Sequence, residues 1–254
     1  MPISPVAPDP ATTVDRLLDG RVTLVQPARG LRSAIDPVLL AAAVPAQAGE
    51  HILELGCGSG AAALCLAARV PECRVSGIDV QAGLIALAHE GARASGLADR
   101  VAFFVGDLLD PPPELGALRF DHAMLNPPHL RPGSGRVSSD PAKRLASVEG
   151  AADLAAWLRF AVEHVAAQST VTVIHRAERA GEVAALLAAA GADAIVFPLW
   201  PKRPGVGAKR AIVQGRLGGG GHVRQGDGLV LHRADGAFTP ETESILRHAV
   251  ALAL

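Results

Sequence analysis

LELGCGSG, residues 53–60, joins a short apolar run, HILEL, to an alanine-rich segment, AAALCLAARV. A buried strand that passes straight into a helix must turn within a few residues. Glycines at 56, 58 and 60 supply the backbone freedom for that turn. They also leave main chain without Cβ atoms, so a ligand can lie against it. In an open α/β sheet such a turn falls at the carboxyl edge of the strands, where ligands bind.

Outward from this turn the chain alternates. RVSGID, RVAFFVGD, FDHAML and TVTVIHR read as further strands, with AGLIALAHEGARASG, ADLAAWLRFAVEHVAA and AERAGEVAALLAAAG as helices. ADAIVFPLW, KRAIVQGRL and GLVLHR are strand-like, and a last helix starts at Pro240. Strands alternating with helices of this length predict an α/β, Rossmann-like domain over 51–254, with a seven-stranded, mainly parallel sheet and helices on both faces. Upstream, GRVTLVQPARG predicts a hairpin or strand. DPVLLAAAVPA predicts a helix with Asp36 at its N-cap and Pro37 at its first position. Together they make an N-terminal extension over 14–50, and residues 1–13 read as a flexible tail.

The chain has 254 residues, 49% of them hydrophobic and 19% charged, which predicts a sizeable buried core and excludes disorder. Net charge is −1, so only local clustering can point to a nucleic-acid partner. No apolar run is long and unbroken enough to span a bilayer, and the first dozen residues lack the pattern of a signal peptide. A cytoplasmic protein is expected. Cys57, Cys65 and Cys73 have no CxxC spacing, which predicts free thiols and no metal.

The next two strands end in acids. Asp79 closes GIDV at the tip of the second strand, placed to accept hydrogen bonds from two ribose hydroxyls. Asp107 ends VGD at the tip of the third, within reach of an adenine amino group, although GDLLD could equally start a helix. The glycine turn also satisfies a dinucleotide fingerprint, G-x-G-x-x-[GA], with an acid about 20 residues on. Glu54, two residues before Gly56, and the third glycine separate the two readings. The resulting E-x-G-x-G-x-G resembles motif I of class I S-adenosylmethionine-dependent methyltransferases. That resemblance implies a cofactor pocket of Glu54, Gly56, Cys57, Gly58, Gly60, Asp79, Val80, Asp107, Leu108 and Asn126, with S-adenosyl-L-methionine as cofactor.

LNPPHL, residues 125–130, closes the fourth strand. Pro127 and Pro128 fix two φ angles and bring no N–H groups, so a stiff turn presents the Asn126 carboxamide oxygen beside a backbone carbonyl. Two aimed acceptors suit the grip of a planar NH₂ group: they orient its nitrogen and help free a delocalised lone pair. An Asn-Pro pair is also a common turn starter. N-P-P-[aromatic] at this place resembles the signature of methyltransferases acting on adenine N6, guanine N2 or glutamine N5. The resemblance implies catalytic roles for Asn126 and Pro127. It puts His129 where the family carries a Tyr or Phe that stacks on the target base.

DRLLDGRVTLVQPARGLRSAIDPVLLAAAV, RVSSDPAKRLASVEGAADLAAWL and LVLHRADGAFTPETESIL extend the likeness over nearly the whole chain, from about Val14. They resemble the small-domain methyltransferases that modify tRNA1(Val) at an adenine. This implies tRNA as substrate, with ribosomal RNA guanine N2 and a protein glutamine amide as alternatives, and a non-catalytic cofactor- and RNA-binding module as an alternative of another class. Asp36 matches an acid of the family's D-x-V-L-L segment, besides its reading as an N-cap. From Ala194 to Gly226 there is no acidic residue. Lys202, Arg203, Lys209 and Arg210 there, with Arg131, Lys143 and Arg144 after the turn and Pro128 within it, form the candidate substrate surface. Nothing in the sequence decides between a monomer and a homodimer.

Overall fold

Thr12–Leu17 (β1) and Val22–Pro27 (β2) form an antiparallel hairpin, and Asp36–Ala43 (α1) follows. Then come His51–Leu55 (β3), Ala61–Arg69 (α2), Arg74–Asp79 (β4), Ala82–Ala94 (α3), Val101–Val105 (β5), the single turn Pro113–Gly116 (α4) and Phe120–Leu125 (β6). Leu154–His164 (α5), Val165–Arg176 (β7), Ala180–Ala189 (α6), Ala192–Trp200 (β8) and Arg210–Leu217 (β9) continue the chain. Val223–Gln225 (β10), Leu229–Val230 (β11) and Pro240–His248 (α7) complete it. This computed structural model describes residues 11–28, 34–116, 118–131, 133, 148–204 and 207–254.

The expected seven strands run in the order β8-β9-β7-β6-β3-β4-β5, parallel except for β9, which is antiparallel to both neighbours. Two short strands that the sequence reading did not set in the sheet, β10 and β11, add to the outer side of β8 and bring the sheet to nine. From β3 the chain winds one way through β4 and β5 and the other way through β6 and β7. The crevice beyond β3 and β6 is therefore the switch point at which open α/β sheets take ligands.

Both faces of the sheet are buried, as the apolar runs require. Ile52, Val75, Met124 and Ile174 pack into a core with α1, α2 and α3. Leu53, Leu55, Ile78, Leu125 and Val173 face a second core with α5 and α6. Alternation along HILEL sends Leu53 and Leu55 one way and Ile52 and Glu54 the other, so an acid enters the α2 side of the sheet.

Several boundaries depart from the sequence reading. β1 begins at Thr12 and takes in the end of the expected tail, whose residues 1–10 lie outside the described residues. Helix α5 stops at His164, whose Nδ1 lies 2.8 Å from the Phe160 carbonyl, and Val165 already pairs with Phe120. Asp36 is not the cap of α1. Ile35 holds that position, and the Asp36 carboxylate accepts from Arg210 Nε at 2.9 Å instead. The N-terminal extension is fastened to the body of the chain: Thr23 N–H donates to Ser95 Oγ at 2.9 Å, and Leu252 N–H donates to the Ala42 carbonyl at 2.8 Å. The three cysteines are free and buried.

Candidate active site

A cleft of about 290 Å³ opens at the carboxyl edge of β3, β4, β5 and β6. Its floor is the glycine turn. Gly56, Gly58 and Gly60 all have positive φ, at 66°, 54° and 81°, a region that side chains other than glycine's rarely occupy. The Ile78 carbonyl accepts from both Gly56 and Cys57 N–H, at 2.8 and 3.1 Å, which ties the turn to β4. A Cβ on Gly58 would meet only Leu84, at 4.0 Å, so this stretch of main chain is open to a ligand. Gly60 is set back from the cleft. It caps α2 and lets Phe103 and Ala88 close in where a Cβ would need 2.8 and 3.1 Å.

Asp79 binds the turn from the neighbouring strand. One carboxylate oxygen accepts from Gly58 N–H at 2.9 Å and the other from Gln81 N–H at 2.9 Å. Burial pushes its carboxyl up from the ordinary value, and the N–H groups of Gln81 and Gly58 oppose this. Glu54 lies beneath the turn, 5% exposed, and accepts from Ala63 N–H at 2.8 Å at the start of α2. Its carboxyl is raised to about 8, because loss of water outweighs that hydrogen bond and the nearby Asp79 adds to the rise. Val80 and Leu108 line the cleft, as does Cys57, whose thiol burial raises well above the ordinary range. Asp107 does not start a helix. Its Oδ1 accepts from Leu109 N–H at 2.9 Å, which folds the chain into a tight turn at the cleft wall.

The NPPH turn forms the opposite wall. Asn126, Pro128 and His129 line the cleft, while Pro127 is buried behind them. Asn126 Oδ1 is buried and, among the described residues, accepts no hydrogen bond. A buried carboxamide oxygen left this way costs about 1–3 kcal/mol, so it is an acceptor held ready for a donor. His129 and His175 meet edge to face, with ring centroids 5.1 Å apart, and His175 Nε2 is 3.4 Å from the Pro128 carbonyl. Burial lowers His129 to about 3 and His175 to about 4, helped by Arg210 for the first and Arg179 for the second. Both rings are therefore neutral at physiological pH.

His129 also borders a second cavity, of about 470 Å³, lined by Leu130, Arg176, Glu178, Ala208, Lys209 and Arg210. Lys209 and Arg210 of the predicted substrate surface thus reach the site. Lys202 and Arg203 are exposed in the turn after β8, at the same edge of the sheet. Arg131 is engaged with Glu182 at 2.9 Å. Lys143 and Arg144 lie outside the described residues. Asp36 does not line the cleft, but its neighbour Pro37 and Leu40 do.

Sequence reasoning missed two parts of the wall and one ring packed against it. Trp157 of α5 lies against the glycine turn, its ring 2.7 Å from where a Cβ on Gly56 would sit. The strap Val148–Gly150 pairs with Leu130 and is anchored by Glu149, which forms a buried ion pair with Arg179. His175 was read only as part of a strand. A tryptophan in a chain with 3% aromatic residues was the one signal available for the first. Among the described residues, no group of three or more His, Cys, Asp or Glu could hold a metal ion, and no helix is long and apolar enough to cross a membrane.

Residues 52–137 match a family model described as a methyltransferase domain. A tRNA1(Val) (adenine(37)-N6)-methyltransferase of Porphyromonas gingivalis is 31% identical over 231 residues, covering 87% of this chain and 89% of the relative. One of Aeromonas hydrophila is 28% identical over 210 residues, covering 82% and 86%. A release factor glutamine methyltransferase of Moorella thermoacetica is 42% identical, but over 79 residues, 31% of this chain and 27% of the relative. The crystal structure of a predicted O-methyltransferase of Agrobacterium tumefaciens superposes with a TM-score of 0.70 at 21% identity, covering 86% of this chain and 99% of that one. It shares the fold.

Proposed function

We propose that this chain, which belongs to the tRNA1(Val) (adenine(37)-N6)-methyltransferase family, methylates the N6 amine of an adenine in tRNA. It is a methyltransferase whose cofactor is S-adenosyl-L-methionine. The cleft suits that cofactor: bare main chain at Gly58, apolar side chains at Leu84 and Val80, and carboxylates at Asp79 and Asp107 to take hydroxyl and amino hydrogens. When bound, the cofactor supplies a methyl group made electrophilic by a sulfonium sulfur.

The protein's own part is placement. Asp79 holds its turn through one lone pair on each oxygen, which leaves others for the two ribose hydroxyls. The acceptor amine enters over the NPPH turn. Asn126 Oδ1 and the Pro127 carbonyl accept its two N–H groups, fix the nitrogen's direction and favour the form with a free lone pair. Neither a metal nor a strong base is needed for that step. His129, which lines both cavities, meets the base as it enters. Lys209 and Arg210, with Lys202, Arg203 and Arg131 of the same chain edge and Lys143 and Arg144 from the sequence, supply cations for the RNA backbone, and the work is cytoplasmic.

The observation that carries this reading is the buried Asn126 oxygen, without a partner among the described residues, on the cleft wall beside the glycine turn. The test is methyl transfer from labelled S-adenosyl-L-methionine into bacterial tRNA lacking the modification, with Asn126→Ala as control and nucleoside mass spectrometry as readout. N6-methyladenosine from the wild type alone supports it. A second reading, a protein glutamine amide as acceptor, draws on the shorter match to release factor methyltransferases. Label that enters a release factor and leaves tRNA bare would replace the first reading with the second.

A further inference from the structure

Four buried side-chain polar atoms lack a hydrogen-bond partner among the described residues, and three of them gather at one turn: Asn126 Oδ1, His129 Nδ1 and His175 Nδ1. Grip on an amine explains the first. A ring that serves only to cover a base would leave the two imidazole nitrogens unexplained, since burying a polar atom without a partner is costly. His129 also stands where the two cavities meet, because it lines both. A base whose amine reaches Asn126 from the second cavity must pass along this ring.

We infer that His129 is a specificity-determining residue: its Nδ1 hydrogen-bonds a ring nitrogen of the acceptor base next to the reacting amine, and His175 fixes the orientation in which it does so. The inference rests on the adenine reading given above. An adenine flanks its exocyclic amine with two ring nitrogens, N1 and N7, each an acceptor. A neutral imidazole carries one N–H donor, and with the proton on Nδ1 it complements either of them. His175 acts as a positioning residue. Its Nε2 sits against the Pro128 carbonyl and its ring packs against His129, so the turn and the imidazole are held together. A phenylalanine at 129 would keep a flat ring of similar shape and lose the nitrogen.

The experiment pairs protein and substrate changes. Short tRNA-derived RNAs carrying adenosine, 1-deazaadenosine or 7-deazaadenosine at the acceptor position are methylated by wild type, His129→Phe and His175→Phe. The wild type is expected to lose about tenfold in kcat/KM on the one analogue that lacks the contacted nitrogen, the worth of one hydrogen bond. His129→Phe, starting from a lower rate on adenosine, should show no such extra loss, and His175→Phe should show a reduced one. Any effect of the deaza substitution on the amine itself appears equally in all three proteins and cancels. The inference is overturned if the wild type accepts both analogues as well as adenosine, which needs no variant to fold, or if His129→Phe shows the same penalty. No transfer to the adenosine RNA by the wild type would instead remove the adenine reading, and this inference with it.

Discussion

Leu55 stands opposite Leu125 in the parallel ladder between β3 and β6, and each is the last residue of its strand. The next residue on each side, Gly56 and Asn126, therefore leaves the sheet at the same level. The floor of the cleft and its acceptor wall are set side by side by a register, which a one-residue slip would destroy.

Gly56 meets two demands at once. Its φ is 66°, and the Trp157 ring occupies the space of a Cβ, at 2.7 and 2.9 Å. Gly56→Ala should destabilise the fold by about 2 kcal/mol in urea unfolding, from backbone strain and overpacking together. Adding Trp157→Leu should recover part of the loss, because it removes the clash and leaves the φ. An unchanged unfolding midpoint in Gly56→Ala would refute the packing described.

Asp79 braces the turn as well as facing the cleft. Asp79→Ala removes the acceptors of Gly58 and Gln81 N–H, and calorimetry should show cofactor affinity falling by at least about tenfold. Asp79→Asn keeps one acceptor and should fall between. Equal affinity in all three proteins would deny Asp79 any part in the cofactor site.

Glu54 makes stability depend on pH. Its carboxyl is raised to about 8 from an ordinary 4.5, so between these values the folded state binds more protons than the unfolded one. Stability from this group is then present at low pH and lost as pH rises through that window. Glu54→Gln, neutral throughout, should show a flatter dependence of Tm between pH 5 and pH 8 than the wild type. Parallel curves would mean that Glu54 is ionised in the fold.

The strap over the cleft depends on a buried pair. Glu149 and Arg179 side chains are 8% and 9% exposed, and Arg179 Nε also donates to Glu182 at 2.9 Å. Arg179→Leu leaves Glu149 buried without a counter-charge and should cost about 3–5 kcal/mol. Val148 and Gly150 line the cleft on either side of Glu149, so cofactor affinity should fall too. The double change Arg179→Leu with Glu149→Leu should be the more stable of the two. If the single change is the more stable, the pair is not buried as described.

Much of this protein is written locally. Apolar runs of five or six residues, glycines where the chain turns, and prolines that end β6 determine strands, helices and the positions of Asp79, Asp107 and Asn126 at strand tips. Each of those signals lies within a few residues of what it causes. The short strand β10 escaped the reading, and β11 was read only as part of the longer GLVLHR, because their pairing to β8 is supplied by a distant segment, not by their own pattern. Trp157 and the Glu149 strap, which reach the cleft, and His175, which packs against His129, escaped for the same reason: each belongs to a segment that begins at least 19 residues after the NPPH turn. Asp36 shows the limit most clearly. Its sequence context is that of a cap, yet Arg210, 174 positions away, captures its carboxylate once the sheet has formed. Periodicity and turn chemistry act between neighbours and can be read from order alone. Contacts between segments far apart in the chain, and the pKa shifts that burial imposes on Glu54, His129 and His175, exist only after the core has closed and excluded water.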